Sequence, residues 1–273
     1  MATVDVYRIT NKLDDALLEV VITRLEARGK HPSFDKMLQE YLAAMGIDSA
    51  SNVLDIGCGT GVAARAIVHR RGFSGKVMGI DLSPYLVAAA TRLSAEEGVG
   101  NRVEFHAGDT HSLDLADGAF DAVVAHTLVS HVHDPLAVIK EAARVVKPGG
   151  MVGIFDGDYA SLTFSSDDPA KGKAYDEAVI DAIVTNPRVM RQMPQLLRAA
   201  NLELVASFPS LIAEIGTADF WVSGIESFAR LLPKSGVMGE AEARGWANSV
   251  FRHSAEGVFF GACNYYSYVA RKR

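Results

Sequence analysis

The sequence predicts a doubly wound α/β fold, on two observations. From about Asn52 to Asp156, short apolar runs alternate with stretches of helical periodicity. The first run ends in "GCGTG", a glycine-rich turn set directly before a helical pattern. Strand–helix alternation is the mark of a parallel sheet covered on both faces. Apolar runs without polar alternation are strands buried on both sides. With 273 residues, 49% of them hydrophobic and 22% charged, the chain is long and apolar enough for a large core.

The elements follow in order. An N-terminal helix is expected over 13–28. Phe34, Met37, Leu38, Tyr41, Leu42 and Met45 keep i, i+3, i+4 spacing, and Gly46 stops that second helix. The strands are "NVLDIG", "KVMGID", "RVEFHA", "FDAVVA" and "MVGIFD", with helices expected over 61–71, 84–96 and 135–146. The last is well punctuated: Asp134 is its N-cap, Pro135 takes the first position, and "KPGG" at 147–150 ends it. Beyond the core, 172–184 and 188–200 read as helices, 202–215 as a strand, 218–254 as helical and 257–270 as a final strand. Three regions result. Residues 1–46 are helices over the site, 47–160 a ligand-binding core, and 161–273 completes the sheet and supplies covering helices.

Composition removes several functional classes. The formal charge is −6, and no basic tract exceeds Arg271-Lys272-Arg273, which argues against sequence-independent nucleic-acid binding. Cys58 and Cys263 are too few and too distant for a disulfide framework or a metal site. The first fifteen residues lack a signal pattern, and no run reaches the ~18 apolar residues of a membrane span. A soluble, cytoplasmic protein is expected.

The glycines at 57, 59 and 61 point to a ligand held close to backbone, at a helix start with free N–H groups. A dinucleotide fingerprint requires a third glycine where Val62 stands. Asp55, two residues before Gly57, would repel a pyrophosphate and suits a ligand with a cationic amino group.

These residues carry a resemblance. "VLDIGCGTG" and "GIDLSP", then "GDTHSLDLADGAFDAVVAHTLVSHVHDP" and "RVVKPGGMVGIFD", resemble in order and spacing the motifs of class I S-adenosylmethionine-dependent methyltransferases. The pattern is most similar to the ubiquinone and menaquinone methyltransferase-like branch. The resemblance spans roughly residues 50–157. It implies a seven-stranded, mostly parallel Rossmann-like sheet, with residues 202–215 and 257–270 as an antiparallel strand pair and the helical sequence between them as a substrate cap. It implies a cofactor-contacting set of Tyr7, Asp55, Gly57, Cys58, Gly59, Asp81, Leu82, Gly108, Asp109, Thr110 and His126. In that family the acid at Asp81 accepts from both ribose hydroxyls and the acid at Asp109 meets the adenine amino group. The reaction implied is methyl transfer to an O, N or C nucleophile of a small, hydrophobic or aromatic metabolite, without metal.

Some such nucleophiles need a base. His126, at the end of the fourth strand, is the leading candidate, followed by His131; each could equally hydrogen-bond backbone and shape a wall. Asp158, with Asp156, opens past the fifth strand as a possible substrate orienter or a locally satisfied turn carboxylate. His133 is expected to be exposed, and His106 and His111 to flank the adenine-side loop. Asp117 and Asp121 are structural. Arg65 would pair with Asp55 or stay solvated, and Arg8 joins Tyr7 in the segment over the cofactor. A non-catalytic cofactor-binding regulator, a nicotinamide oxidoreductase and an RNA methyltransferase are the competing readings.

Overall fold

The computed structural model describes residues 5, 7–236 and 238–273, with the side chains of residues 234 and 235 left aside. Residues 1–4 and 6, part of the expected N-terminal region, lie outside the described set. So does residue 237 of the expected cap.

One seven-stranded sheet runs between two helical layers. The chain opens with α1 (Asp15–Lys30) and α2 (Pro32–Ala44). It then alternates β1 (Asn52–Ile56), α3 (Val62–His69), β2 (Lys76–Asp81), α4 (Pro84–Glu96), β3 (Val103–Ala107), β4 (Phe120–His126), α5 (Pro135–Val145) and β5 (Val146–Phe164). Then come α6 (Pro169–Ile183), α7 (Val189–Ala199), β6 (Leu202–Gly216), α8 (Phe220–Ser235), α9 (Glu240–Ala255) and β7 (Phe259–Lys272). Strand order is β3-β2-β1-β4-β5-β7-β6. The first five strands are parallel, and β7 is antiparallel to both neighbours. Order reverses between β1 and β4, which places a crevice at the carboxyl ends of those strands.

Strand parity decides what faces what. Val53, Val77, Ala122, Val124 and Phe155 pack in the layer with α2, α3, α8 and α9. Leu54, Ile56, Val123, Ala125 and Ile154 pack in the opposite layer with α5 and α7. Successive strand side chains alternate faces, so Asp55 and His126 share the first face. Helix α1 lies outside α4, with Leu18, Val21 and Ile22 against Leu86 and Ala89. Among the described residues no helix is long and apolar enough to cross a membrane.

One expected boundary is corrected. The fifth strand does not stop near Asp156. It runs to Phe164 because Gly157, Asp158, Thr163 and Phe164 pair with Tyr265, Asn264, Ala262 and Gly261 of β7, across a bulge. Asp156 and Asp158 are therefore strand residues, not turn residues. The helical sequence over 218–254 is two helices. Pro233 weakens the end of α8, and Gly236 at φ +75° turns the chain out of it.

Candidate active site

The glycine loop between β1 and α3 is the floor of the site. Gly57, Gly59 and Gly61 all hold positive φ, the region that favours glycine. A Cβ on Gly57 would lie 2.5 Å from Leu128 Cδ1, so the loop is drawn tight against the chain that follows β4. Gly59 N–H donates to Asp81 Oδ2 at 2.8 Å and Ser83 N–H to Oδ1 at 2.9 Å. Asp81 thus links the ends of β1 and β2 while each oxygen keeps a lone pair for a ligand.

Asp55 is the electrostatic anomaly. It is 1% exposed, and neither carboxylate oxygen has a hydrogen-bond partner among the described residues. Burial pushes its pKa up to about 8; the nearby Ala64 N–H, outside hydrogen-bond geometry, opposes the rise, and the charge of Asp81 adds to it. Arg65 does not relieve it, contrary to one expectation. That guanidinium binds Glu26 at 2.7 Å and Glu97 at 2.9 Å, and also reaches the Thr60 carbonyl. Native structures rarely bury a carboxyl unpaired, so an orphan that lines a cavity marks a place for a cationic ligand group.

One cavity collects most of the residues singled out in the sequence. Tyr7, Arg8, Asp55, Gly57, Cys58, Gly59, Asp81, Leu82, Asp109, Thr110, His111, His126, His131 and His133 line it. Gly108 lies behind the lining, its N–H on the Asp81 carbonyl at 2.9 Å. His106 ends up in β3, away from the cavity. The Cys58 thiol is held protonated by burial. At the open end, burial opposes ionisation of Asp109. Hydrogen bonds from the His111 N–H (2.9 Å) and ring (2.7 Å), with the charges of His111 and His133, outweigh it and lower its pKa. The His111 ring stacks on the exposed His133 at 3.9 Å.

The two candidate bases separate by environment. His126 Nδ1 meets the Tyr41 hydroxyl at 3.0 Å, its ring stacks on Phe155 at 4.7 Å, and Nε2 has no partner among the described residues. Burial, reinforced by the charge of Arg28, lowers its pKa to about 3, so the ring stays neutral and weakly basic. His131 sits in the turn before α5, with Nδ1 on Asp5 Oδ2 at 3.1 Å. Burial works against its protonation, but the charge and hydrogen bond of Asp5, with Asp156 beyond, outweigh burial and raise its pKa. Asp5 also accepts from the Tyr7 N–H (2.9 Å) and the Thr185 hydroxyl (3.0 Å).

Asp158 does not enter the cavity. It shares parity with Ile154 and Asp156, on the α7 side of the sheet, and its carboxylate is clasped by Arg191 Nε at 3.0 Å and Nη2 at 2.8 Å. Asp156, equally buried, accepts from Ser130 N–H at 3.0 Å and Gly157 N–H at 2.8 Å. Asp117 pairs with Arg144, and Asp121 with Lys147.

Sequence reasoning missed four participants. Arg24 and Arg28, one turn apart on the apolar stripe of α1, both line the cavity. Arg28 Nη2 donates to Thr127 Oγ1 at 2.8 Å. Thr127 itself holds φ +59°, a strained setting for a β-branched residue and typical of functional turns. Asp5 is the fourth. Arginines recurring on an otherwise apolar helix stripe were the available signal.

Comparisons with known proteins fit this geometry. Residues 54–154 match the profile of a methyltransferase domain. That stretch holds β1 to β5 and most of the cavity floor. An uncharacterised 37.1 kDa protein in transposon TN4556 of Streptomyces fradiae is 31% identical over 232 residues, 84% of this chain and 65% of that protein. Sterol 24-C-methyltransferase erg6 of Aspergillus fumigatus is 39% identical over 119 residues, 43% of this chain and 31% of that one. This chain therefore spans less than two thirds of either relative. A crystal structure of a putative methyltransferase from Bacillus halodurans superposes with TM-score 0.62 at 20% identity, over 86% of this chain and 98% of that one, and so shares the fold.

Proposed function

We propose that this protein transfers a methyl group from S-adenosylmethionine to a small, apolar or aromatic metabolite. One observation carries the reading: the buried, unpartnered Asp55 carboxylate lies beside Asp81 on a positive-φ glycine loop, in a cavity that continues into an aromatic chamber. A sulfonium amino acid nucleoside satisfies that donor set. Its amino group answers Asp55, and its ribose hydroxyls answer the free lone pairs of Asp81. Asp109 and Thr110 sit where the base would lie, and Tyr7, Leu82, Cys58, Gly57, Gly59 and His126 form the walls, with Gly108 behind.

Bound there, S-adenosylmethionine supplies an electrophilic methyl on a leaving group that departs as a neutral thioether and needs no protonation. What the chain contributes is alignment in a space closed to water. Tyr159, Leu162, Trp221, Phe228 and Tyr265 build the far end of the chamber. Where the acceptor must lose a proton, His131 takes it at Nε2 while Asp5 orients the ring through Nδ1, the geometry of an oriented base. His126 is a neutral wall pinned by Tyr41.

The sterol methyltransferase likeness favours a small-molecule acceptor over RNA, as does the charge of −6. A quinone-like ring carbon is one acceptor within this reading. A dinucleotide is disfavoured because Val62, where its third glycine would stand, packs on Gly29 of α1. The test is incubation with methyl-labelled S-adenosylmethionine and a metabolite extract, followed by mass spectrometry. A labelled small molecule supports the reading. Label confined to RNA or protein, or binding without any transfer, overturns it.

A further inference from the structure

The cavity lining contains a buried cation with no counter-ion among the described residues. Arg24 is 4% exposed and lines the chamber, yet its polar contact is a neutral one, Nη1 to Ser223 Oγ at 2.9 Å. Its guanidinium lies 5.3 Å from the Phe220 ring centroid, so α8 covers it on one side. The titratable groups that act on it are Arg28, of like charge, and the hydroxyls of Tyr7, Tyr159 and Tyr265. No carboxylate among the described residues forms an ion pair with it; the acids of the cavity are Asp55, Asp81 and Asp109, on the glycine-loop side.

The tyrosines sharpen the picture. Tyr159 and Tyr265 are 6% and 1% exposed and both line the chamber. Neither hydroxyl makes a hydrogen bond to the protein among the described residues. Burial raises both pKa values, so both hydroxyls keep their protons and remain donors. A buried guanidinium and two buried, unused O–H donors therefore line one cavity together with the apolar side chains of Phe34, Leu162, Trp221 and Phe228. Leaving such donors unmatched is costly, and an anion is the group that matches all three at once. Arg28 acts on the same two tyrosines from one turn along α1, but its Nη2 is already committed to Thr127 Oγ1 at 2.8 Å.

We infer that the methyl acceptor is an apolar acid, whose carboxylate or phosphate is bound by Arg24 with Tyr159 and Tyr265 while its carbon skeleton fills the aromatic chamber. This rests on the methyltransferase reading, since S-adenosylhomocysteine is taken to occupy the other half of the cavity.

Three probes with one naphthalene body test it: 2-naphthoate, 2-naphthyl phosphate and 2-naphthylmethanol. Each is titrated calorimetrically into the protein saturated with S-adenosylhomocysteine. At least one anion is expected to bind ten-fold or more tightly than the alcohol, and the better of the two names the head group. Arg24→Met should erase that preference, Arg24→Lys should retain part of it, and Tyr265→Phe should reduce it several-fold. All three variants should bind S-adenosylhomocysteine within about two-fold of the parent. An alcohol that binds as well as both anions overturns the inference on the unmodified protein alone. So does an Arg24→Met variant that keeps the anion preference, or one that loses S-adenosylhomocysteine instead. Wild-type protein that fails to bind S-adenosylhomocysteine overturns the methyltransferase reading, and the inference with it.

Discussion

Asp55 links function to stability at the scale of one residue. Its folded pKa of about 8 lies above the usual carboxyl value, so the fold favours the protonated form. That contribution is complete below about pH 4 and is lost as pH rises towards 8, where the carboxylate must stay buried and charged. Asp55→Asn should therefore stabilise the ligand-free protein at pH 8 by on the order of 1–3 kcal/mol and do little at pH 4. It should also weaken S-adenosylhomocysteine binding at least ten-fold. Thermal melts at the two pH values check the first half, and an unchanged difference between them would mean the carboxyl is solvated. The histidines give a second prediction. In an NMR titration the His131 ring should titrate above its ordinary 6.5 and the His126 ring only near 3. Asp5→Asn should lower the His131 value and shift the acid limb of kcat/KM to lower pH, because the neutral base then survives to lower pH. A His131 ring that titrates alike in both proteins would remove Asp5 as its orienter.

At the scale of elements, β5 shows what the sequence disclosed and what it withheld. The five apolar runs, the helix caps and the glycine turn were legible because each rests on local chemistry: apolar period, Asp134 and Pro135, and glycine at positive φ. The extension of β5 to Phe164 was not legible, because pairing with β7 is a contact between residues about a hundred positions apart. Asp158 was misplaced for the same reason. Counting parity from Ile154 would have set it on the face of α7, but only once the strand was known to continue. There it meets Arg191, whose side chain is about half exposed. Arg191→Met leaves a 3%-exposed carboxylate unpaired, and should cost about 1–2 kcal/mol after solvent screening at the arginine is allowed for. Urea unfolding checks this. An unaffected midpoint would show that the pair is a surface contact only.

Across the whole molecule, the site is assembled from pieces that are remote in sequence. The glycine loop, the turn after β4, helix α1 and helix α8 all meet over the crevice at the strand-order reversal. Arg24 joins α1 to α8 through Ser223, and Asp5 joins His131 to Thr185. The long-range partners in this clasp explain why Arg24, Arg28 and Asp5 escaped notice while Asp55 and Asp81 did not. A ligand bridging these pieces must stabilise the whole fold. At a hundred times its dissociation constant, S-adenosylhomocysteine should add about 2.7 kcal/mol.

Calorimetric titration of S-adenosylhomocysteine into wild-type and Asp81→Ala protein, beside NAD as a control, is the most direct measurement. The predicted result is one site per chain, no NAD binding, and a loss of about 1–3 kcal/mol in the variant as the ribose hydroxyls lose a charged acceptor. Absence of S-adenosylhomocysteine binding, or equal affinity in both proteins, would contradict the placement of the cofactor on Asp55 and Asp81.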